Sequence, residues 1–120
     1  MSGLFSRIKG QAAERVACDF LKKAGFCILA NNFRSRFGEI DIVARQGEIL
    51  VFVEVKARSS SAYGTAFETV DRRKQQKIIR TALFYLSRKS LDNPYIRFDV
   101  IAVNANGQCF HIPDAFCPEE

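Results

Sequence analysis

Three observations predict a mixed α/β domain with helices packed on a central sheet. Two stretches carry apolar residues at helical spacing, and several runs alternate β-branched or aromatic residues at period two. Their order along the chain is helix, three strands, helix, two strands. A chain of 120 residues suits one domain, 1–120, and 48% hydrophobic residues with 11 Phe give it a core to bury.

The first helix is expected from about Arg7 to Ala24, where Ala13, Val16, Ala17, Phe20, Leu21 and Ala24 form one apolar stripe and Gly25 ends it. Phe26 to Ala30 reads as a short strand. Asn31-Asn32 is expected to turn the chain, and Phe33-Arg34-Ser35-Arg36-Phe37-Gly38 to lead into a hairpin. The hairpin strands are Gly38 to Ala44 and Ile49 to Lys56. Ala57 to Gly64 has loop composition. A second helix is expected from about Val70 to Lys89, opened near Thr69 or Asp71, with Ile78, Ile79, Ala82, Leu83 and Leu86 facing inward. Asp92-Asn93-Pro94 turns, Ile96 to Val103 is a strand, Asn104 to Gly107 turns again, and Gln108 to Ile112 completes a second hairpin.

Composition narrows the function classes. No run of roughly 18 apolar residues occurs, so no transmembrane helix is expected. Met1 to Arg7 lacks the apolar stretch of a signal peptide. Cys18, Cys27, Cys109 and Cys117 show no CxxC spacing and there is one histidine, which disfavours a structural zinc site. Thiols in a reducing cytoplasm are the simplest account, and a cytoplasmic location is expected. The net charge of +5 fits a polyanion partner without requiring one.

The hairpin carries the chemistry. With Gln46-Gly47 as its loop, Arg45 faces Glu48, Ile42 faces Val51 and Ile40 faces Val53. One face then holds Ile40, Ile42, Val51, Val53 and Val55. The other holds Glu39, Asp41, Val43, Leu50, Phe52, Glu54 and Lys56, with Glu39 opposite Glu54 and Asp41 diagonal to it. Like charges across a sheet destabilise it, and Lys56 offsets only one of three acids. A divalent cation would remove the conflict. A magnesium or manganese ion on Asp41 and Glu54 suits phosphodiester hydrolysis, because it neutralises phosphate charge and lowers the pKa of bound water. Lys56, two residues after Glu54, points to the same face and would orient the water or stabilise the phosphate. Glu14 borders the buried face of the first helix, within reach of the sheet. Gln75 lies within the second helix's inner stripe and calls for a polar partner.

Gly38-Glu39-Ile40-Asp41 followed by Phe52-Val53-Glu54-Val55-Lys56 resembles the PD-(D/E)xK nuclease superfamily, and within it the bacterial YraN-like family of small proteins. Gly10 and Glu14, Asn32-Phe33-Arg34, Arg97-Phe98-Asp99-Val100 and Ala115-Phe116 extend the resemblance over nearly the whole chain. Such proteins are similar to archaeal Holliday-junction resolvases. The resemblance implies a restriction-endonuclease-like (tRNA-endonuclease-like) mixed central sheet flanked by helices. It also implies a catalytic core of Asp41, Glu54 and Lys56 with Glu14 as an added acid, and a metal-dependent endonuclease acting on structured or branched DNA. The superfamily's literal Pro-Asp is absent, so the role of Glu39 stays open. By analogy with junction resolvases a homodimer is expected.

Arg72, Arg73, Lys74, Lys77 and Arg80 crowd the second helix, and Arg34, Arg36 and Arg58 flank the acids in sequence. As a phosphate-tracking surface they would bind nucleic acid by backbone and shape. The plainer account is the solvated face of a helix. Likewise, Asp41, Glu54 and Lys56 have a plainer account as a wet sheet face with one ion pair. Gln75 reads first as a structural hydrogen-bonder, and Asp99 as the ion-pair partner of Arg97 on its strand. Phe33, Phe37 and Tyr63 offer stacking surfaces or core anchors, and His111 has no assigned role. Two alternatives to the nuclease remain: a nucleic-acid-binding module of the same fold with little or no turnover, and a protein-interaction domain.

Overall fold

The chain folds as helix α1 (Ser2–Lys23), strands β1 (Cys27–Ser35), β2 (Gly38–Gln46) and β3 (Ile49–Ala57), helix α2 (Arg72–Arg88), and strands β4 (Tyr95–Val103) and β5 (Cys109–Phe116). A computed structural model describes residues 2–58, 70–89 and 95–118, with side chains from residue 11 onward. The sequence readings of Tyr63 and Thr69, of the loop from Ser59 to Gly64 and of the Asp92-Asn93-Pro94 turn fall outside that description.

The five strands lie in the order β1-β2-β3-β4-β5, antiparallel except for the parallel pair β3–β4. This is the α/β domain the patterning predicts, built on the mixed central sheet that the resemblance implies. The helices cover opposite faces. Ala13, Ala17, Leu21 and Phe26 pack on Ile42, Ala44, Val51, Val53, Ile101 and Val103. On the other face Ile78, Ala82 and Tyr85 pack on Ile40, Val43, Leu50, Phe52 and Phe98.

Local chemistry sets the ends. Gly25, at φ +97°, ends α1 with Gly25 N–H donating to Lys22 C=O and Phe26 N–H to Leu21 C=O, a Schellman pattern that glycine makes cheap. Asp71 caps α2 by accepting from Lys74 N–H at 2.9 Å. The α2 stripe is rotated from the expected one. Leu83 is 55% exposed, while Thr81 and Tyr85 turn inward. Tyr85 packs edge-on against Phe33 and Phe52, with ring centroids 5.0 and 5.8 Å away. Thr81 lies against Gly38, where a Cβ would come within 3.3 Å of its Oγ1.

Three expectations are corrected in the strands. Asn31-Asn32 does not reverse the chain. Strand β1 absorbs Leu29 as a bulge and Asn32 at φ +53°, stays paired, and turns instead at Arg36-Phe37. The β2–β3 loop is Gly47-Glu48, with Gly47 at φ +62°, so Gln46 faces Ile49 and Ile42 faces Val53. This shift is even, so faces are largely kept while partners change: Glu39 lies opposite Arg34 rather than Glu54. Finally, Ile40 packs in the α2 cluster while Ile42 packs in the α1 cluster, so strict alternation breaks at Asp41.

Strand β5 runs on past Ile112 through Pro113, which falls at the irregularity between the Val100–Ile112 and Phe98–Phe116 pairs on an edge strand, where proline is tolerated. Asp114, at φ +53°, turns its N–H inward to Asp99 Oδ1 at 3.0 Å. Asp99 is buried and also takes a two-pronged guanidinium from Arg97, 2.9 Å on each oxygen, and His111 Nε2 at 2.7 Å. Burial alone would raise its pKa, but these partners outweigh that and hold the carboxyl below its ordinary value. Asp99 thus ties β5 to the core. Replacing Asp99 with Ala should lower unfolding stability in urea by about 3 kcal/mol, since it strands the half-buried Arg97 and His111. A loss under about 1 kcal/mol would show that the tie is not structural.

Candidate active site

The site forms where two neighbouring strands part. The β2–β3 ladder runs from Gln46–Ile49 to Ile42–Val53 and stops there. Beyond that point β2 stays with β1 (Phe33–Ile40, Arg34–Glu39) and β3 stays with β4 (Glu54–Val100, Lys56–Ala102). Asp41 stands at the fork. Its Oδ2 accepts Val55 N–H at 2.8 Å, a donor the ladder no longer serves.

Acids reach this fork from both faces. Glu14, on α1, lines a cavity with Asn32 and lies near enough to Asp41 for the two acids to affect each other. Glu54 is buried and points to the α2 side, where Lys74 Nζ lies 2.7 Å and Lys56 Nζ 3.4 Å from its Oε2. Burial first, then the charges of Glu54, Glu14 and Glu39, push the Asp41 carboxyl up to about 8, against the pull of the Val55 N–H. Glu14 is raised as well, by burial and by the neighbouring acids Glu39 and Glu54, with its polar neighbours Asn32 and Asp41 opposing. Lys56 is lowered by burial and by the adjacent Lys74, which outweigh Glu54. Lys74 is raised, because its bonds to Glu54 and Lys56 overcome the cost of its burial.

The residues named from sequence therefore divide. Lys56 touches Glu54, and Asp41, Glu54 and Glu14 lie near enough to act on one another through their charges. Glu39 stands aside in an exposed ion pair with Arg34, 3.5 Å long, and acts on Asp41 only through its charge. Gln75 donates from Nε2 to Val70 C=O at 3.0 Å, which satisfies its polar side chain locally. Arg72, Arg73 and Lys77 are exposed on α2, and exposed Arg36 lies 5.0 Å over the Phe37 ring. Arg58 does not join them. It lines a cavity of about 210 Å³ with Ala12, Ala13, Val16 and Val103 on the α1 side, and its buried Nε has no partner among the described residues. No disulfide links the four cysteines, all of them among the described residues.

Sequence reading placed Lys74 on the wet face, and the structure places it on Glu54. One signal was available: α2 has no acid in its first turn, yet carries Arg72, Arg73 and Lys74 at the positive end of its dipole. Cations in such a position call for a reason outside the helix. Asn32 was also missed as a neighbour of Glu14. Its place in an Asn-Asn pair pointed to a turn instead, and only the structure shows its left-handed backbone within β1.

Among the described residues no three His, Cys, Asp or Glu side chains converge closely enough to hold a divalent ion alone. Magnesium does not require that, since it commonly uses one or two carboxylates and completes its shell with water and phosphate. Hard oxygen donors that repel one another at a fork in the sheet fit such an ion.

The family model described as Uncharacterised protein family UPF0102 matches residues 13–103. A UPF0102 protein of Persephonella marina is 45% identical over 94% of this chain and 97% of that relative. Another from Hahella chejuensis is 50% identical over 89% and 88%. A solved structure, Pyrococcus furiosus SfsA in complex with Ca2+, is similar at 12% identity over 90% of this chain and 63% of that one. Its TM-score of 0.35 is too low to support any inference.

The raised carboxyls set a pH response. A folded-state pKa above the unfolded value stabilises the fold below the unfolded value, 3.8 for Asp41, and that contribution is lost as pH rises through about 8. Across that window the metal-free protein should lose on the order of 10–20 °C of melting temperature relative to Asp41→Asn. Parallel melting curves of the two proteins by calorimetry would contradict the raised carboxyl.

Proposed function

We propose that this chain, which belongs to the uncharacterised protein family UPF0102, is a metal-dependent endonuclease that hydrolyses phosphodiester bonds in structured or branched DNA. The convergence of Asp41, Glu54 and Lys56 at the fork between β2 and β3 carries this reading. The resemblance of the same residues to PD-(D/E)xK nucleases supports it, with the restriction-endonuclease-like fold that goes with them.

Asp41 and Glu54 would hold magnesium or manganese, which when bound supplies charge neutralisation for the phosphate and a more acidic water. Asp41 carries the proton that relieves repulsion in the metal-free site and gives it up as the carboxylates are neutralised otherwise. Lys56, held beside Glu54 and only partly exposed, presents its amine to the attacking water or to the phosphate. Glu14 steadies Asp41 from the α1 side. Exposed Arg34, Arg36, Arg72, Arg73 and Lys77 supply positive charge for the nucleic-acid backbone. A nuclease of this type would work in the cytoplasm, and symmetric cutting of a junction would use two copies of the chain.

A second reading has an observation of its own. Glu54 already carries contacts from two lysines, as expected of a nucleic-acid-binding module without turnover. Purified protein incubated with branched, duplex and single-stranded DNA plus manganese separates the two. The nuclease should cut branched DNA, and Lys56→Ala and Asp41→Ala should each slow cutting by about a hundredfold or more. Salt-sensitive binding without cutting would leave the binding module, and cutting that persists unchanged in Lys56→Ala would defeat the catalytic assignment.

A further inference from the structure

Lys74 links the acidic fork to the cationic start of α2. Its Nζ shares Glu54 Oε2 with Lys56 and makes the shorter contact, 2.7 Å against 3.4 Å. The two lysines are held differently. Lys56 issues from the same strand as Glu54, and its side chain is 20% exposed. Lys74 reaches in from another element, and its side chain is 42% exposed. Arg72 and Arg73 precede it in the first turn of α2, both exposed. A long, half-wet side chain thus has its root among phosphate-seeking cations and its tip on a carboxylate that the nuclease reading gives to a divalent ion.

We propose that Lys74 is the cation that grips the substrate phosphate beside the scissile bond, and that Glu54 is its resting place until a divalent ion takes the carboxylates. The inference rests on the nuclease reading above. An ammonium and a divalent cation on one carboxylate repel each other at short range, so occupancy by one opposes the other. Displaced from Glu54, Lys74 keeps its tether and reaches the nearest new negative charge, the phosphate whose approach the ion permits. Lys74 therefore weakens metal binding and strengthens DNA binding. A lysine serving stability alone would not push the two affinities in opposite directions.

The test uses the full chain as wild type, Lys74→Met and Lys74→Arg, with melting curves to show that each folds. Calorimetric titration with Mn2+ alone should show Lys74→Met binding about tenfold tighter than wild type, with Lys74→Arg close to wild type. Binding of a branched DNA in Ca2+ should weaken about tenfold in Lys74→Met, and its dependence on log salt should become shallower by about one unit. Lys74→Arg should restore both. Manganese affinities of wild type and Lys74→Met within about twofold of each other, or an unchanged salt slope, would overturn the proposal. If neither wild type nor Lys74→Met takes up Mn2+, the metal role of Asp41 and Glu54 fails first and the proposal with it, an outcome distinct from equal binding by both.

Discussion

One hydrogen bond organises the site: Val55 N–H donating to the Asp41 carboxylate at 2.8 Å. Where β2 and β3 separate, the backbone of β3 loses its partner on that side, and a buried N–H without an acceptor is costly. Asp41 supplies the acceptor from its side chain. The strands can then part without an unmet donor, but an acid is fixed inside the sheet. The burial of Asp41, its raised pKa and the nearness of Glu14 and Glu54 all follow from that substitution of side chain for backbone. The fork also opens the sheet to both layers, so that Glu14 on α1 and Lys74 on α2 act on the same group of acids.

Asp41 and Asp99 show how environment assigns roles to one residue type. Asp99 receives a guanidinium fork, an imidazole and a backbone N–H, and its carboxyl is held below the ordinary value. Its charge is answered on every side, and its task is to anchor β5. Asp41 receives one backbone N–H and otherwise faces acids, so its carboxyl is held far above the ordinary value. A buried acid whose surroundings oppose its charge is hard to justify by stability, and such groups gather at functional sites.

The strand faces were legible in the sequence because alternation of β-branched residues fixes which side chains share a side. The turn was not. Gln46-Gly47 and Gly47-Glu48 both offer a glycine to a two-residue loop, and moving the loop by one residue changes every cross-strand partner while preserving the faces. Asp41, Glu54 and Lys56 were therefore found together for a partly incorrect reason: the supposed Glu39–Glu54 clash does not exist, and Glu39 pairs with Arg34. The extension of β1 was hidden because Asn31-Asn32 has turn composition, and only tertiary pairing shows that a bulge and one left-handed residue keep the strand going. The role of Lys74 was hidden because helical periodicity reports which side of a helix is wet, not what a long side chain at its first turn can reach.

The fork is best understood as a site in need of a positive partner. Its acids exceed the positive charge that Lys56 and Lys74 bring to Glu54, and the remainder is met in the metal-free protein by a proton on Asp41. Proton, ammonium and divalent ion are three answers to one electrostatic demand, and they exclude one another to the extent that they share the same oxygens. A proton suffices for stability but leaves the acid unable to serve as a ligand. Two lysines suffice for Glu54 but leave Asp41 and Glu14 facing each other. On the proposed reading, a small, doubly charged ion would answer Asp41 and Glu54 together while freeing an ammonium to meet a phosphate. The arrangement is a costly way to build a sheet, and the proposed binding of a metal and then a polyanion would account for it.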